Sequence, residues 1–126
     1  MMRTGVKMLA AIVPIILATP SPAFAEGVLS AEVIKQSFAG NTAEMVGQSN
    51  TVFVYYLPDG TQRMQSQALG QDSGTWRITP EGEFCGKWVK LRGGAEACAP
   101  VIDLGGGVYQ WGNTKFRLVL GNPKGL

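Results

Sequence analysis

What this chain of 126 residues lacks is the first guide to the chemistry open to it, for it contains no histidine. That absence removes Ser-His and Cys-His nucleophilic pairs, the commonest general base, and the usual nitrogen ligands for transition metals. Two cysteines, Cys85 and Cys98, are too far apart for a Cys-x-x-Cys redox motif, and without histidine they cannot build a conventional structural zinc site. The carboxylates Glu81 and Glu83 flank a turn signal, and Asp59, Asp72 and Asp103 fall in segments read as loops. Glycosidic bond cleavage needs two facing carboxyl groups roughly 5 to 9.5 Å apart, and no pair here is singled out. Aspartates beside turns most often bond their own backbone. The stretch Asp103-Leu104-Gly105-Gly106-Gly107 has one carboxylate, too few oxygen ligands for a dedicated calcium loop, and its glycines do not open a helix as a phosphate cradle would. The sequence therefore assigns no catalytic residue, no metal site and no cofactor.

The aromatic residues remain. Tyr55, Tyr56, Trp88, Tyr109 and Trp111 are the candidates for a binding surface, since rings stack on apolar molecules and sugars while N–H and O–H groups fix orientation. Trp76 alternates with Ile78 and reads as core. Tyr55 and Tyr56 are adjacent, so one of them must point outward. Trp111, beside a glycine-rich segment, is a better surface candidate than the other tryptophans. Arg63, Arg77 and Lys87 are either rim contacts or solvated charges.

The elements that must position these residues begin with an export signal. Arg3 and Lys7 precede an apolar run, Met8 to Ala18, and Ala23-Phe24-Ala25 places small residues where a signal peptidase reads them. The run falls well short of the roughly 20 residues that span a bilayer. Cleavage after Ala25 is expected, leaving residues 26–126 as one secreted or periplasmic β-domain with no integral membrane span. Without Arg3 and Lys7 the 11 basic residues fall to nine, matching the 9 acidic ones. A neutral chain has no basic stripe for phosphates, so nucleic acid is not expected as a partner. A monomer is expected.

Ser30 is placed to cap a helix over residues 30–39, with Leu29, Val33, Ile34 and Phe38 at helical spacing and Gly40 at its stop. After Asn41 the period becomes two. Strands are predicted over 42–46, 51–57, 61–67, 75–79, 83–91, 96–102, 108–111 and the segment carrying Phe116, Leu118 and Leu120; 68–73 reads as a loop and 121–126 as a fraying tail. Pro58-Asp59-Gly60, Pro80-Glu81-Gly82, Arg92-Gly93-Gly94 and Gly112-Asn113 supply turns. The fold class is thus mainly β: an antiparallel meander closing into a small up-and-down barrel or curved sheet, with one short N-terminal helix. Seven or eight strands are expected, and eight suffice to hold side chains or one small ligand. In an oxidising compartment Cys85 and Cys98 pair as a disulfide. Counted from Gly93 they are not opposite in a regular two-residue hairpin, so either an irregular loop adjusts the register or the bond joins non-adjacent points.

Phe38-Ala39-Gly40-Asn41-Thr42, Tyr55-Tyr56-Leu57-Pro58-Asp59-Gly60-Thr61, Gly74-Thr75-Trp76, Phe84-Cys85 with Trp88, Cys98 and Gly107-Val108-Tyr109 follow in that order. Over nearly the whole mature chain this resembles the small exported proteobacterial proteins grouped as domain of unknown function family 995. The resemblance implies a secreted or periplasmic single domain of no established activity and supplies no catalytic residue. The expected function is a non-enzymatic exported domain binding a small apolar or saccharide ligand or an envelope protein. The alternatives are a carbohydrate-active hydrolase with paired carboxylates, or a secreted protein inhibitor presenting a loop such as 92–97.

Overall fold

The computed structural model describes residues 27–47 and 51–126. The export signal expected over residues 1–25 lies outside the described residues. Helix α1, Ala31–Phe38, starts where Ser30 caps it: the Ser30 hydroxyl accepts a hydrogen bond from the Val33 N–H at 3.3 Å. Glu32 in the first turn suits the positive end of the helix dipole. Its inward face is Ile34 and Phe38, both essentially inaccessible to solvent. The helix stops as Gly40 turns at φ +81°, where its N–H bonds to the Tyr56 carbonyl.

Nine strands follow: β1 Thr42–Met45, β2 Val52–Tyr56, β3 Thr61–Ser66, β4 Gly70–Ile78, β5 Phe84–Trp88, β6 Ala97–Ala99, β7 Val101–Gly105, β8 Val108–Trp111 and β9 Thr114–Val119. A 3-10 turn, Leu91–Gly94, lies between β5 and β6. Each described pairing is antiparallel, and the order across the sheet is β6-β5-β4-β3-β2-β1-β9-β8-β7. The meander returns on itself because β1 pairs with β2 on one side and β9 on the other. The two outermost strands of that order, β6 and β7, are consecutive in the chain with only Pro100 between them. They share one position, so the nine segments make a nearly closed barrel of eight positions. Gly27 to Leu29 covers an edge of β7: the Leu29 N–H bonds to the Val101 carbonyl at 2.9 Å, and the Asp103 N–H to the Gly27 carbonyl at 2.7 Å.

The barrel interior follows the alternation. In β3, Gln62, Met64 and Ser66 are buried while Arg63 and Gln65 face solvent; in β2 the inward residues are Val52, Val54 and Tyr56. Phe38 from α1 enters one end of the barrel, with ring centroids 5.0 Å from Tyr56, 5.2 Å from Phe84 and 5.7 Å from Phe116. The helix closes that end by filling it with an aromatic cluster.

Several local expectations differ from the structure. The strand expected over 83–91 stops at Trp88, with Leu91 opening the 3-10 turn, and β7 runs on through Asp103 to Gly105. Residues 70–73, read as loop, are the start of β4. The chain reverses within three residues because the Ser66 hydroxyl accepts from the Ala68 and Leu69 N–H groups and Gly70 adopts φ +77°. This stretch is polar, so no apolar alternation betrayed it as a strand. The single strand expected over 96–102 is divided at Pro100, which has no N–H for a ladder. The tail 121–126, expected to fray, is tethered: the Asn122 amide donates to the Leu126 carbonyl at 2.7 Å and its oxygen accepts from the Leu126 N–H at 2.9 Å. Lys124 Nζ also sits 4.5 Å above the Phe53 ring.

The cysteines form a disulfide and lie directly opposite each other on β5 and β6. An irregular loop sets this register. In the 3-10 turn, Arg92 and Gly93 both take left-handed φ, 54° and 63°, which shortens the connection from Trp88 to Ala97. Cys85 is wholly buried and Cys98 is exposed.

Candidate binding site in the barrel interior

With α1 filling one end, the space at the other end of the barrel is free of backbone. A cavity of about 210 Å³ extends from the Phe38 ring toward the loops that join β3 to β4, β5 to β6 and β8 to β9. Its walls are Val54, Tyr56, Gln62, Met64, Phe84, Gly86, Trp88 and Phe116, and its mouth is framed by Met45, Val52, Leu69, Leu91, Arg92, Trp111 and Thr114. Such a lining is mostly apolar with a few polar groups, the usual composition of a small-molecule site. An engineered apolar cavity of roughly 150 Å³ already takes up benzene, so this volume admits a molecule somewhat larger.

Two buried residues with polar groups, Tyr56 and Gln62, line the cavity. Tyr56 is 6 % exposed, and burial pushes its hydroxyl far above its ordinary pKa, which keeps it a neutral donor. No hydrogen-bond partner for that hydroxyl is found among the described residues. Gln62 is 2 % exposed; its amide donates to the Lys87 carbonyl at a long 3.4 Å, while its oxygen has no partner among the described residues. Gly86 provides room for it, since a Cβ there would stand 3.3 Å from Gln62 Nε2. Buried polar groups left without partners cost free energy, so a bound polar atom would be stabilised here.

The mouth is held in shape by Asp72, which points inward from β4 near the turn. Its carboxylate accepts from the Ser73 N–H at 2.8 Å, from the Lys90 N–H at 3.1 Å and from the Leu91 N–H at 2.9 Å. Burial works against its charge, but the amides of Leu91, Ser73 and Lys90 outweigh it, so the carboxyl sits below its usual pKa. Those bonds fix the strand end that leads into Arg92. Trp111 is fixed from the opposite wall, its indole N–H donating to the Phe84 carbonyl at 2.8 Å. That bond spans the barrel seam between β8 and β5.

The structure brings Tyr56, Trp88 and Trp111 to this cavity and leaves two of the other sequence candidates out of it. Tyr55 lies on the outward face of β2, opposite Thr42 and Arg63. Tyr109 packs on Phe116, with ring centroids 5.7 Å apart, and does not line the cavity. Trp76 is in the core, stacked on Phe84 with its indole N–H on the Leu57 carbonyl at 3.0 Å. Arg63 and Lys87 point to solvent, and Arg77 pairs with Glu96 at 2.8 Å on the outer surface. Sequence reasoning passed over Gln62, Met64 and Arg92. A glutamine and a methionine two apart in a polar strand were the available signal for the first two.

Carboxylates are absent from the cavity lining. Asp59 is tied to its own turn, accepting from the Thr61 hydroxyl at 2.7 Å and the Thr61 N–H at 2.9 Å, bonds that hold its pKa down. Asp103 accepts from the Gly105 N–H at 2.8 Å. Among the described residues, Cys85, Glu96 and Cys98 are the one grouping of three metal-ligating types, and its two sulfurs are bonded to each other. Searches against protein-family models, curated proteins and solved structures found no match to this chain.

Proposed function

We propose that this protein is an exported, monomeric β-barrel that binds a small, predominantly apolar molecule inside the barrel, and that it is not an enzyme. The observation that carries the reading is the cavity itself: a space of about 210 Å³ walled by Trp88, Met64, Val54 and Phe116, with Tyr56 and Gln62 also in its lining. A packed interior would bury those rings against one another, and catalysis by paired carboxylates would need acids that the lining does not hold. Export with cleavage after Ala25 to the periplasm or beyond is part of the proposal. The Cys85–Cys98 disulfide supports it, because such bonds persist in oxidising compartments. No helix of the described residues is long and apolar enough to cross a membrane. Membership of family 995 belongs to the proposal too, supported by the turn, tryptophan and cysteine signatures. The near-closure of the barrel, which leaves little free strand edge, supports the monomer.

Thermal unfolding in the presence of toluene tests the cavity. A ligand that binds only the folded state raises the unfolding midpoint with concentration, and a rise of several degrees is expected. The Gly86→Leu variant, which places a side chain in the cavity, is expected to keep the far-UV circular dichroism of the wild type and lose the toluene response. A wild-type midpoint indifferent to toluene would overturn the proposal.

A further inference from the structure

We infer that the ligand is a small monocarboxylic acid of about ten non-hydrogen atoms, its apolar body inside the barrel and its carboxylate at the mouth against Arg92. This rests on the binding reading above and specifies the chemistry of its ligand. Among the described residues, Arg92 is the one charged side chain that lines the cavity. It has no carboxylate partner: the ion pair found among the described residues is Arg77 with Glu96. Its guanidinium is held only loosely by the protein, through Nη2 to the Gly86 carbonyl at 3.4 Å and over the Trp111 ring at 6.0 Å.

The backbone is set to put this residue there. Arg92 is the one non-glycine residue with positive φ among the described residues, at 54°, a region that side-chain-bearing residues adopt at a cost. Asp72 holds the two preceding amides, Lys90 and Leu91, and so fixes the approach to that strained position. A guanidinium presents a planar fork that a carboxylate matches with two parallel hydrogen bonds. Arg92 is itself exposed, so the pair forms at the solvent rim and the planar fork, rather than burial of charge, gives the preference.

The charge count selects the head group. One cation at the mouth suits one negative charge, and a phosphate would leave its second charge uncompensated. A saccharide would need hydroxyl partners along its length, whereas the deeper walls offer only the Tyr56 hydroxyl and the Gln62 amide amid rings and methyl groups. An acid with a plain hydrocarbon or aromatic body fits both ends.

Octanoate and 1-octanol separate the head group from the body, having similar chains and different charge. Each is titrated by calorimetry at pH 7 into the oxidised wild type and into Arg92→Gln and Arg92→Lys. The wild type is expected to bind octanoate at least tenfold more tightly than octanol. Arg92→Gln should bring the two within about twofold by weakening octanoate alone, and Arg92→Lys should retain a preference for octanoate. Unchanged octanol affinity in the variants shows that the cavity is intact. Equal affinities in the wild type, or a preference that survives in Arg92→Gln, would overturn the carboxylate inference and leave the binding reading standing. Failure of the wild type to bind either probe overturns both.

Discussion

At the scale of single residues, Asp72 does most to define the open end of the barrel. Its carboxylate gathers amides from β4 and from the strand end after Trp88, so protonating it should loosen the segment that carries Arg92. The sign follows from its lowered pKa. Between the folded and the unfolded value the unfolded chain binds more protons, so the stabilisation is complete above the ordinary aspartate range and is lost as pH falls through the folded value. Hydrogen exchange at the Lys90 and Leu91 amides should therefore lose protection below about pH 4 relative to amides in the β1–β9 ladder. Asp72→Asn should show the same loss at pH 7. Equal protection in variant and wild type would mean that the turn is held by something else. The Arg77–Glu96 pair is fully exposed and screened, and Glu96→Gln should leave the unfolding midpoint unchanged. Residue chemistry was only partly legible in the sequence. Asp59 and Asp103 each bond the backbone two residues on, as turn aspartates do, although Asp103 lies within β7 rather than in a loop. Asp72 reads as one more of these, and it does bond the adjacent Ser73 N–H, but its other partners lie 18 and 19 positions away and no local pattern shows them. Arg92 reads as part of a turn or of a presented loop over 92–97, since nothing in an Arg-Gly-Gly sequence says which way the arginine faces.

At the scale of elements, strand pairs with tight turns were the easiest to read. β2 is a run of β-branched and aromatic residues, β3 follows it, and Pro58-Asp59-Gly60 joins them as its chemistry requires. The helix was read to within a residue at each end because Ser30 and Gly40 mark it. Strands at the polar rim were harder, as residues 70–73 show, because pairing there rests on backbone bonds and a side-chain cap. The β4–β5 pair also depends on a glycine whose role is invisible in one dimension. Gly74 stands against Trp88, and a Cβ at this position would run into the Lys87 carbonyl oxygen. Backbone cannot move aside as a flexible side chain can. Gly74→Ala is expected to cost roughly 2 to 3 kcal/mol in urea unfolding, comparable to overpacking elsewhere in protein cores. An unchanged transition midpoint would show that the two strands tolerate a wider separation.

At the scale of the whole molecule, composition and turn spacing were enough to give an antiparallel meander curling toward a barrel. They did not reveal that the interior keeps a cavity. Packing is decided by the sizes of side chains that meet from distant strands, such as Gly86 beside Gln62 and Tyr56 against Phe84, and those meetings exist only after closure. The disulfide acts at this scale because it constrains the unfolded chain. Cys85 and Cys98 are separated by 13 positions, and closing a loop of such size is worth about 3 kcal/mol. Reductant should lower the urea midpoint accordingly without changing the far-UV spectrum of the folded state; an unaltered midpoint would refute that role.

Pro100 has a consequence for how such a barrel can assemble. Strands β1 to β6 form one leaf and β7 to β9 another, and each leaf can zip from hairpins between sequence neighbours. Pro100 is the spine that joins them. The leaves meet again at the β1–β9 ladder, clasped where the Thr42 hydroxyl donates to the Gly121 carbonyl across 79 positions at 2.7 Å. Shutting the book, together with the docking of Gly27 to Leu29 on β7, brings far-separated chain together, and the slow event in folding should be the closing of that clasp.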